Sequence, residues 1–198
     1  GALLAGLPVE IPGVTVNRLC GSGMEAVLQA TKSIMVGEGD VYIAGGVESM
    51  SRVPMGSTVS LPAKAGMGTF TGQAMSQRYP DVEFSQFIGA EMLAKKYELS
   101  RDALDEYALA SHQRAMAATE AGRFDDEILP LPVRTADGGN TDKVHKVDEG
   151  IRFDATRESI GSVKLLQEGG QITAANASQI CDGATAVMIV NEAGLKKL

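Results

Sequence analysis

Cysteine, histidine and long apolar runs are scarce in this 198-residue sequence, and each scarcity removes a class of protein. Two cysteines, Cys20 and Cys181, cannot build a disulfide framework, so reduced thiols and a cytoplasmic location are expected. The two histidines, His112 and His145, lie far from Cys20 and show no paired ligand spacing, so no metal site is expected. Basic residues are outnumbered, 18 Lys and Arg against 25 Asp and Glu, for a net charge of −7. Phosphate backbones favour basic surfaces, so nucleic acid is not an expected partner. Gly, Asn or Asp interrupts every apolar run well short of a bilayer span, and no signal-peptide pattern opens the chain. No membrane partner is expected either.

What is present is an ordinary globular composition, 44% hydrophobic and 22% charged, with length enough to bury a core. The 23 glycines fall partly in clusters, at Gly21 and Gly23, Gly45 and Gly46, Gly138 and Gly139, and Gly169 and Gly170. Such points mark tight turns or close backbone approach, most of them plain turns. Gly13 to Val16 reads as a short buried strand. From Ser22 the period changes, with Met24, Val27, Leu28, Thr31, Ile34 and Met35 on one helical face, and Val41 to Ala44 reads as a second strand. Strand, turn, helix, turn and strand make a βαβ unit, which predicts a mostly parallel sheet.

After Ser51 the character shifts. Residues 52–86 are rich in Gly, Ser, Met and Pro with weak periodicity. A short helix is predicted from Ile88 to Tyr97. A longer one starts at an N-cap, Ser100, and stops at Gly122, with Leu104, Tyr107, Ala108, Ser111, Ala115 and Ala118 turned inward. Glu127 to Arg134 suits an edge strand, and 135–150 reads as a polar loop. Sheet character returns at Gln171 to Ala174 and at Ala186 to Val190. The expected class is therefore α/β. A first part (1–51) and a returning part (170–198) share one sheet domain, interrupted by a mixed α+β insertion (52–169).

Chemistry points to Val14-Thr15-Val16-Asn17-Arg18-Leu19-Cys20-Gly21-Ser22-Gly23-Met24, which sets a cysteine between a strand end and a helix start. That is the logic of a nucleophile elbow. Unpaired N–H groups and the positive end of a helix favour a thiolate, and two glycines leave the approach to sulfur open. The Cys20 amide is a candidate oxyanion donor. Against this stands the commoner role of a lone cysteine, a small buried hydrophobe. Ser22 is a rival nucleophile, but the glycine two residues before it is missing; the third glycine of a dinucleotide loop is missing too.

The segment VNRLCGSGMEA resembles the nucleophile motif of the thiolase family. IAGGVESMSRVP, SHQRA, GRFDDEILP and GGQITAANASQICDGATAV resemble further thiolase stretches in the family's order, so the likeness covers nearly the whole chain. It implies that Cys20 is the catalytic residue, acylated during the reaction. It implies an insertion that helps bind coenzyme A, with Arg152 and Ser159 beside the nucleotide end and Ala174 and Ser178 along the pantetheine arm. Coenzyme A is then a substrate and no cofactor is expected. The implied activity is acyl transfer between the cysteine and coenzyme A, by thiolytic cleavage of a 3-oxoacyl-CoA or the reverse Claisen condensation. The implied full-length protein is a homo-oligomer, dimer or tetramer. Charge adds little, since residues 134–164 hold six Lys and Arg and six Asp and Glu.

Three departures qualify the likeness. Phe84-Ser85-Gln86-Phe87 stands where many thiolases carry a His-Met pair. The family's Gly-His-Pro histidine and its Cys-x-Gly-Gly-type second cysteine have no counterparts; His112 and His145 read as surface or packing residues and Cys181 as core packing. Gly1 to Pro8 resembles the end of a thiolase helix, and the chain is expected to be a central fragment without the start of the N-terminal domain or the C-terminal domain. Such a fragment is not expected to turn over alone. A non-catalytic half-protein or interaction module that keeps a coenzyme A surface remains the alternative, and a ketoacyl synthase shares the elbow logic but fits SHQRA and TAANAS poorly.

Overall fold

The computed structural model describes residues 1–198, which run as α1 (Ser22–Met35), β1 (Val41–Ser49), α2 (Ser57–Lys64), α3 (Gln73–Arg78), α4 (Gln86–Lys96), α5 (Arg101–Glu120), β2 (Leu131–Arg134), β3 (Asn140–His145), α6 (Arg157–Gly161), β4 (Asp182–Val190) and α7 (Glu192–Leu195). They form two compact units. One joins Gly1–Thr58 to Cys181–Leu198, and the other is Val59–Ile180.

In the first unit β1 and β4 pair antiparallel in strict register, from Val41 opposite Val190 to Ser49 opposite Asp182. The expected parallel sheet is not found, for a topological reason. The inserted stretch leaves after Ser49 and returns at Asp182, its ladder partner, so the returning strand must run the opposite way. A parallel return would have to enter at the Val41 end. Gly13 to Val16 forms no ladder, so no βαβ unit is completed. α1 packs on the face carrying Ala44, where small residues allow close approach; a Cβ on Gly46 would sit 3.7 Å from the Gly23 Cα. Ala30 of α1 and Ala44 of β1 are the buried apolar pair of this unit.

Both ends of the strand pair are pinned by an aspartate. Asp182 accepts from the Ser51 amide at 2.9 Å and from the Ser51 and Ser49 hydroxyls at 2.5 and 3.1 Å. At the other end the Asp40 carbonyl accepts from the Asn191 amide at 3.1 Å, and its carboxylate takes the Asn191 amide group at 2.9 Å and Lys197 at 2.6 Å. Cys181 is exposed, which corrects the expectation of a packed core thiol. It sits just ahead of β4 with only its amide engaged, on the Met50 sulfur at 3.4 Å.

In the second unit α5 begins as its sequence predicts, with the Ser100 hydroxyl accepting from the Ala103 amide at 3.2 Å. It ends at Gly122, whose φ of +66° lets the Gly122 and Arg123 amides cap the Thr119 and Ala118 carbonyls. Its inward face is rotated from the predicted one: the buried residue is Asp105, and Tyr107 is 74% exposed. An Arg101–Asp105 pair explains this, because the carboxylate is buried with its cation one turn away. Residues 135–150, expected as loop, contribute β3, which pairs with β2 across a bulge between Pro132 and Arg134. β3 is exposed along nearly its whole length, so no apolar alternation marked it.

Gln171 to Ala174 is not a strand; its one bridge joins Leu165 to Thr173. Side chains hold it instead. Glu91 of α4 accepts from the Gln171 amide at 2.9 and 2.8 Å and from the Ile172 amide at 2.8 Å. That attachment carries the second unit on to Ile180, past the expected end at Gly169.

Candidate functional site

Cys20 stands immediately before Gly21, the N-cap of α1, in a loop wound tightly on itself. Leu19 has φ of +51°, a left-handed conformation that a bulky residue adopts only when its surroundings enforce it. The restraints are local. Asn17 Oδ1 accepts from the Leu19 amide at 3.1 Å, and the Leu19 carbonyl accepts from the Ser22 amide at 3.1 Å and the Ser22 hydroxyl at 2.6 Å. Ser22 Oγ in turn accepts from the Arg18 amide at 2.9 Å. The rival nucleophile is thus committed to shaping the elbow. Arg18 closes it with a 2.6 Å ion pair to Glu25 one turn into α1. That hydrogen bond, with a weaker one from Gln29, holds the Glu25 carboxyl below the usual carboxylate range.

The result is an exposed thiol ahead of a helix whose first amides are not all used. The amides of Cys20, Gly23 and Met24 make no hydrogen bond within the chain, whereas that of Glu25 is taken by the Gly21 carbonyl. Free N–H groups beside a thiol are what an oxyanion forming on an attacked carbonyl requires. Sequence reasoning identified Cys20 and its glycines but not Leu19 or its Asn17 tether. Asn17, one residue after a predicted strand, was the available signal, since Asx side chains bond their own backbone two residues on.

The other four predicted residues lie in the second unit, and they come together. Arg152, Ser159, Ala174 and Ser178 all line one open cleft of about 690 Å³, with Tyr107, His112, Asp154 and Gln179 among its other walls. The Arg152 guanidinium makes no ion pair or hydrogen bond within the chain, and its residue is exposed. Ser159 differs. Its hydroxyl belongs to a capping box at α6, accepting from the Thr156 amide at 2.9 Å and donating to the Thr156 carbonyl at 3.0 Å, so it shapes the wall more than it offers a free group. Ala174 and Ser178 are exposed on the loop after Thr173.

That loop is built on a buried polar chain that the sequence reading missed. Asn176 Nδ2 donates to Asp105 Oδ1 at 2.9 Å and to the Gln171 carbonyl at 3.1 Å, and Asn176 Oδ1 accepts from the Thr173 amide at 2.8 Å. Thr173 is fully buried, and its hydroxyl accepts from the Ala175 and Asn176 amides at 3.2 and 3.3 Å. Arg101 supports Asp105 at 2.6 Å and donates to the Ile160, Gly161 and Val163 carbonyls at 3.1 to 3.2 Å. One helix therefore fixes both the loop and the end of α6. His112 is half-buried and its Nδ1 accepts from the Arg152 amide at 3.2 Å, so it is more than a surface residue. His145 is exposed, 3.9 Å from Glu149.

An elbow cysteine thus stands at a helix start in one unit, and the inserted unit carries an open cleft built on a polar framework. The sequence matches the family described as "Thiolase, N-terminal domain" over residues 1–193, and the chain belongs to that family. It is 43% identical over 196 residues to the steroid 3-ketoacyl-CoA thiolase FadA6 of Mycobacterium tuberculosis, covering 98% of this chain and 46% of that protein. It is 39% identical over 195 residues to a 3-ketoacyl-CoA thiolase of Bacillus subtilis, covering 95% and 48%. Among solved structures, human mitochondrial 3-ketoacyl-CoA thiolase superposes with a TM-score of 0.77 at 36% identity, covering 98% of this chain and 50% of that one. The chain spans about half the length of the relatives it matches.

Proposed function

We propose that this chain carries the nucleophile and the coenzyme A surface of a thiolase-type acyltransferase acting on 3-oxoacyl-CoA. The observation that carries the reading is the elbow: an exposed Cys20 beside unengaged amides at the start of α1. In the cleavage direction the Cys20 thiolate adds to the C3 carbonyl, and the oxyanion is met by backbone N–H groups. The C2–C3 bond then breaks, its electron pair staying with the departing acetyl-CoA carbon, which takes up a proton. The acyl group is left as a thioester on Cys20, and the thiol of a second coenzyme A displaces it. Splitting one carbon–carbon cleavage into two steps is the gain of covalent catalysis. Arg152 on the cleft's lining supplies a free cation for phosphate, and the Ala174–Ser178 loop a small-residue wall for a slender arm.

The proton steps need groups that no motif in these residues supplies, because neither His112 nor His145 stands in a Gly-His-Pro sequence and Cys181 is not in a Cys-x-Gly-Gly sequence. Each missing acid–base group lowers a rate by a factor of about 10² to 10⁴. The 198-residue chain alone is therefore expected to be acylated without sustained turnover. Two exposed free thiols favour a reducing compartment such as the cytoplasm, and the thiolase resemblance favours a homo-oligomer for the whole protein. No helix is long and apolar enough to cross a membrane.

The test is thiolysis of acetoacetyl-CoA, followed by loss of its enolate absorbance, with the full-length protein and its Cys20→Ala variant. Turnover abolished by the substitution supports the reading, and turnover that survives it removes Cys20 from the mechanism. Coenzyme A binding with no acyl uptake by Cys20 would instead mark the protein as a binding module.

A further inference from the structure

We propose that His112 is a positioning residue for Arg152, so that the cleft's free cation is held for its ligand by a ring nitrogen on α5. The inference rests on the coenzyme A reading of this cleft and adds a residue to it. Arg152 lies in the irregular stretch between β3 and α6, where no ladder or helix fixes the backbone. Its carbonyl turns back to accept from the Ala155 amide at 3.2 Å, and two residues earlier the Gly150 carbonyl is tied to Gln179 at 2.6 Å. The amide of Arg152 itself has one acceptor, Nδ1 of His112, at 3.2 Å. That bond joins the stretch to α5, the helix whose Tyr107, Ala108, Ser111 and His112 form one wall of the cleft. Nδ1 is the acceptor in this bond, and a nitrogen that accepts a backbone N–H carries no hydrogen of its own.

A flexible arginine gains affinity for an anion only to the extent that its backbone is already held where the fork is needed, because ordering it on binding costs free energy. Removing the acceptor releases the backbone and leaves the guanidinium chemically unchanged. The effect must therefore pass through Arg152, which a double-substitution cycle detects.

The experiment titrates coenzyme A into the 198-residue chain by ligand-observed NMR, with His112→Ala, His112→Gln, Arg152→Ala and the His112→Ala/Arg152→Ala pair, and follows hydrogen exchange at the Arg152 amide. Loss of one net hydrogen bond predicts that His112→Ala weakens binding by about three- to tenfold, while the Gln side-chain oxygen restores it to within about twofold. The Arg152 amide should lose protection in His112→Ala and regain it in His112→Gln. The pair should bind no worse than Arg152→Ala alone. Binding by His112→Ala equal to the parent, or a pair weakened by the full product of the two single effects, overturns the positioning role and leaves the coenzyme A reading intact. Failure of the parent to bind, or an Arg152→Ala variant that binds as well as the parent, overturns the cleft reading and His112's role with it.

Discussion

The cleft-forming loop depends on a charge that lies inside the protein, and Asp105→Ala is the perturbation that exposes this. Asp105 is 6% exposed, and its partner Arg101 has a side chain 22% exposed. Removing the carboxylate leaves a mostly buried guanidinium without its counter-charge and deprives Asn176 Nδ2 of one of two acceptors. Breaking one side of a buried pair costs about 3–5 kcal/mol. Arg101 keeps three carbonyl acceptors and some solvent, which places the expected loss nearer 2–4 kcal/mol. Asp105→Asn retains an acceptor for Asn176 and should fall between the parent and Ala. Urea unfolding followed by circular dichroism measures the loss, and hydrogen exchange at Ile172 and Thr173 localises it. Arg157→Gln is the control, since its ion pair to Asp102 is 3.7 Å long and largely exposed, and it should shift stability little. A loss under about 0.5 kcal/mol for Asp105→Ala would show that this buried pair does not hold the loop, contrary to the cost expected of breaking one.

Other expectations follow from single contacts. A Cβ on Gly194 would collide with the Asp40 carbonyl that receives the Asn191 amide, so Gly194→Ala should destabilise the first unit by about 1–3 kcal/mol, read as a lowered unfolding midpoint. Hydrogen bonds from Ser51 hold the Asp182 carboxyl below its usual range, and Lys197 followed by Asn191 does the same for Asp40. Groups with lowered folded values add stability above the ordinary Asp range and lose it as pH falls through the lowered value. Acid unfolding should therefore steepen below about pH 4, and Ser51→Ala should move its midpoint upward. Both thiols are exposed, so accessibility does not separate them. Cys20 precedes a helix N-terminus and Cys181 a strand, and brief iodoacetamide treatment should label Cys20 first in peptide maps.

How much was legible depended on where the information was stored. α1 and α5 could be read because periodicity, a Ser100 cap and a Gly122 stop are written locally. The direction of β4 could not, because it follows from where the inserted stretch re-enters, a property of the whole chain. β3 was hidden because neither of its faces is buried. Residues 171–174 looked like a strand for their Ile and Thr, yet their amides are taken by Glu91 and Asn176, side chains distant in sequence or bonding in an unforeseen direction. Cys20 was prominent through its glycines and its likeness to a thiolase motif. The Arg101–Asp105–Asn176 chain was not, since an Arg and an Asp four apart on a helix look the same whether solvated or buried.

The central claim, that Cys20 accepts the acyl group, is tested most directly by trapping the thioester. The 198-residue chain is incubated with acetyl-CoA near neutral pH, quenched in acid and mapped by peptide mass spectrometry, with Cys20→Ala alongside. The account predicts one acetyl group on the peptide containing Cys20, removed by hydroxylamine and absent from the variant. Acetylation confined to Cys181, or equal labelling of parent and variant, would contradict it.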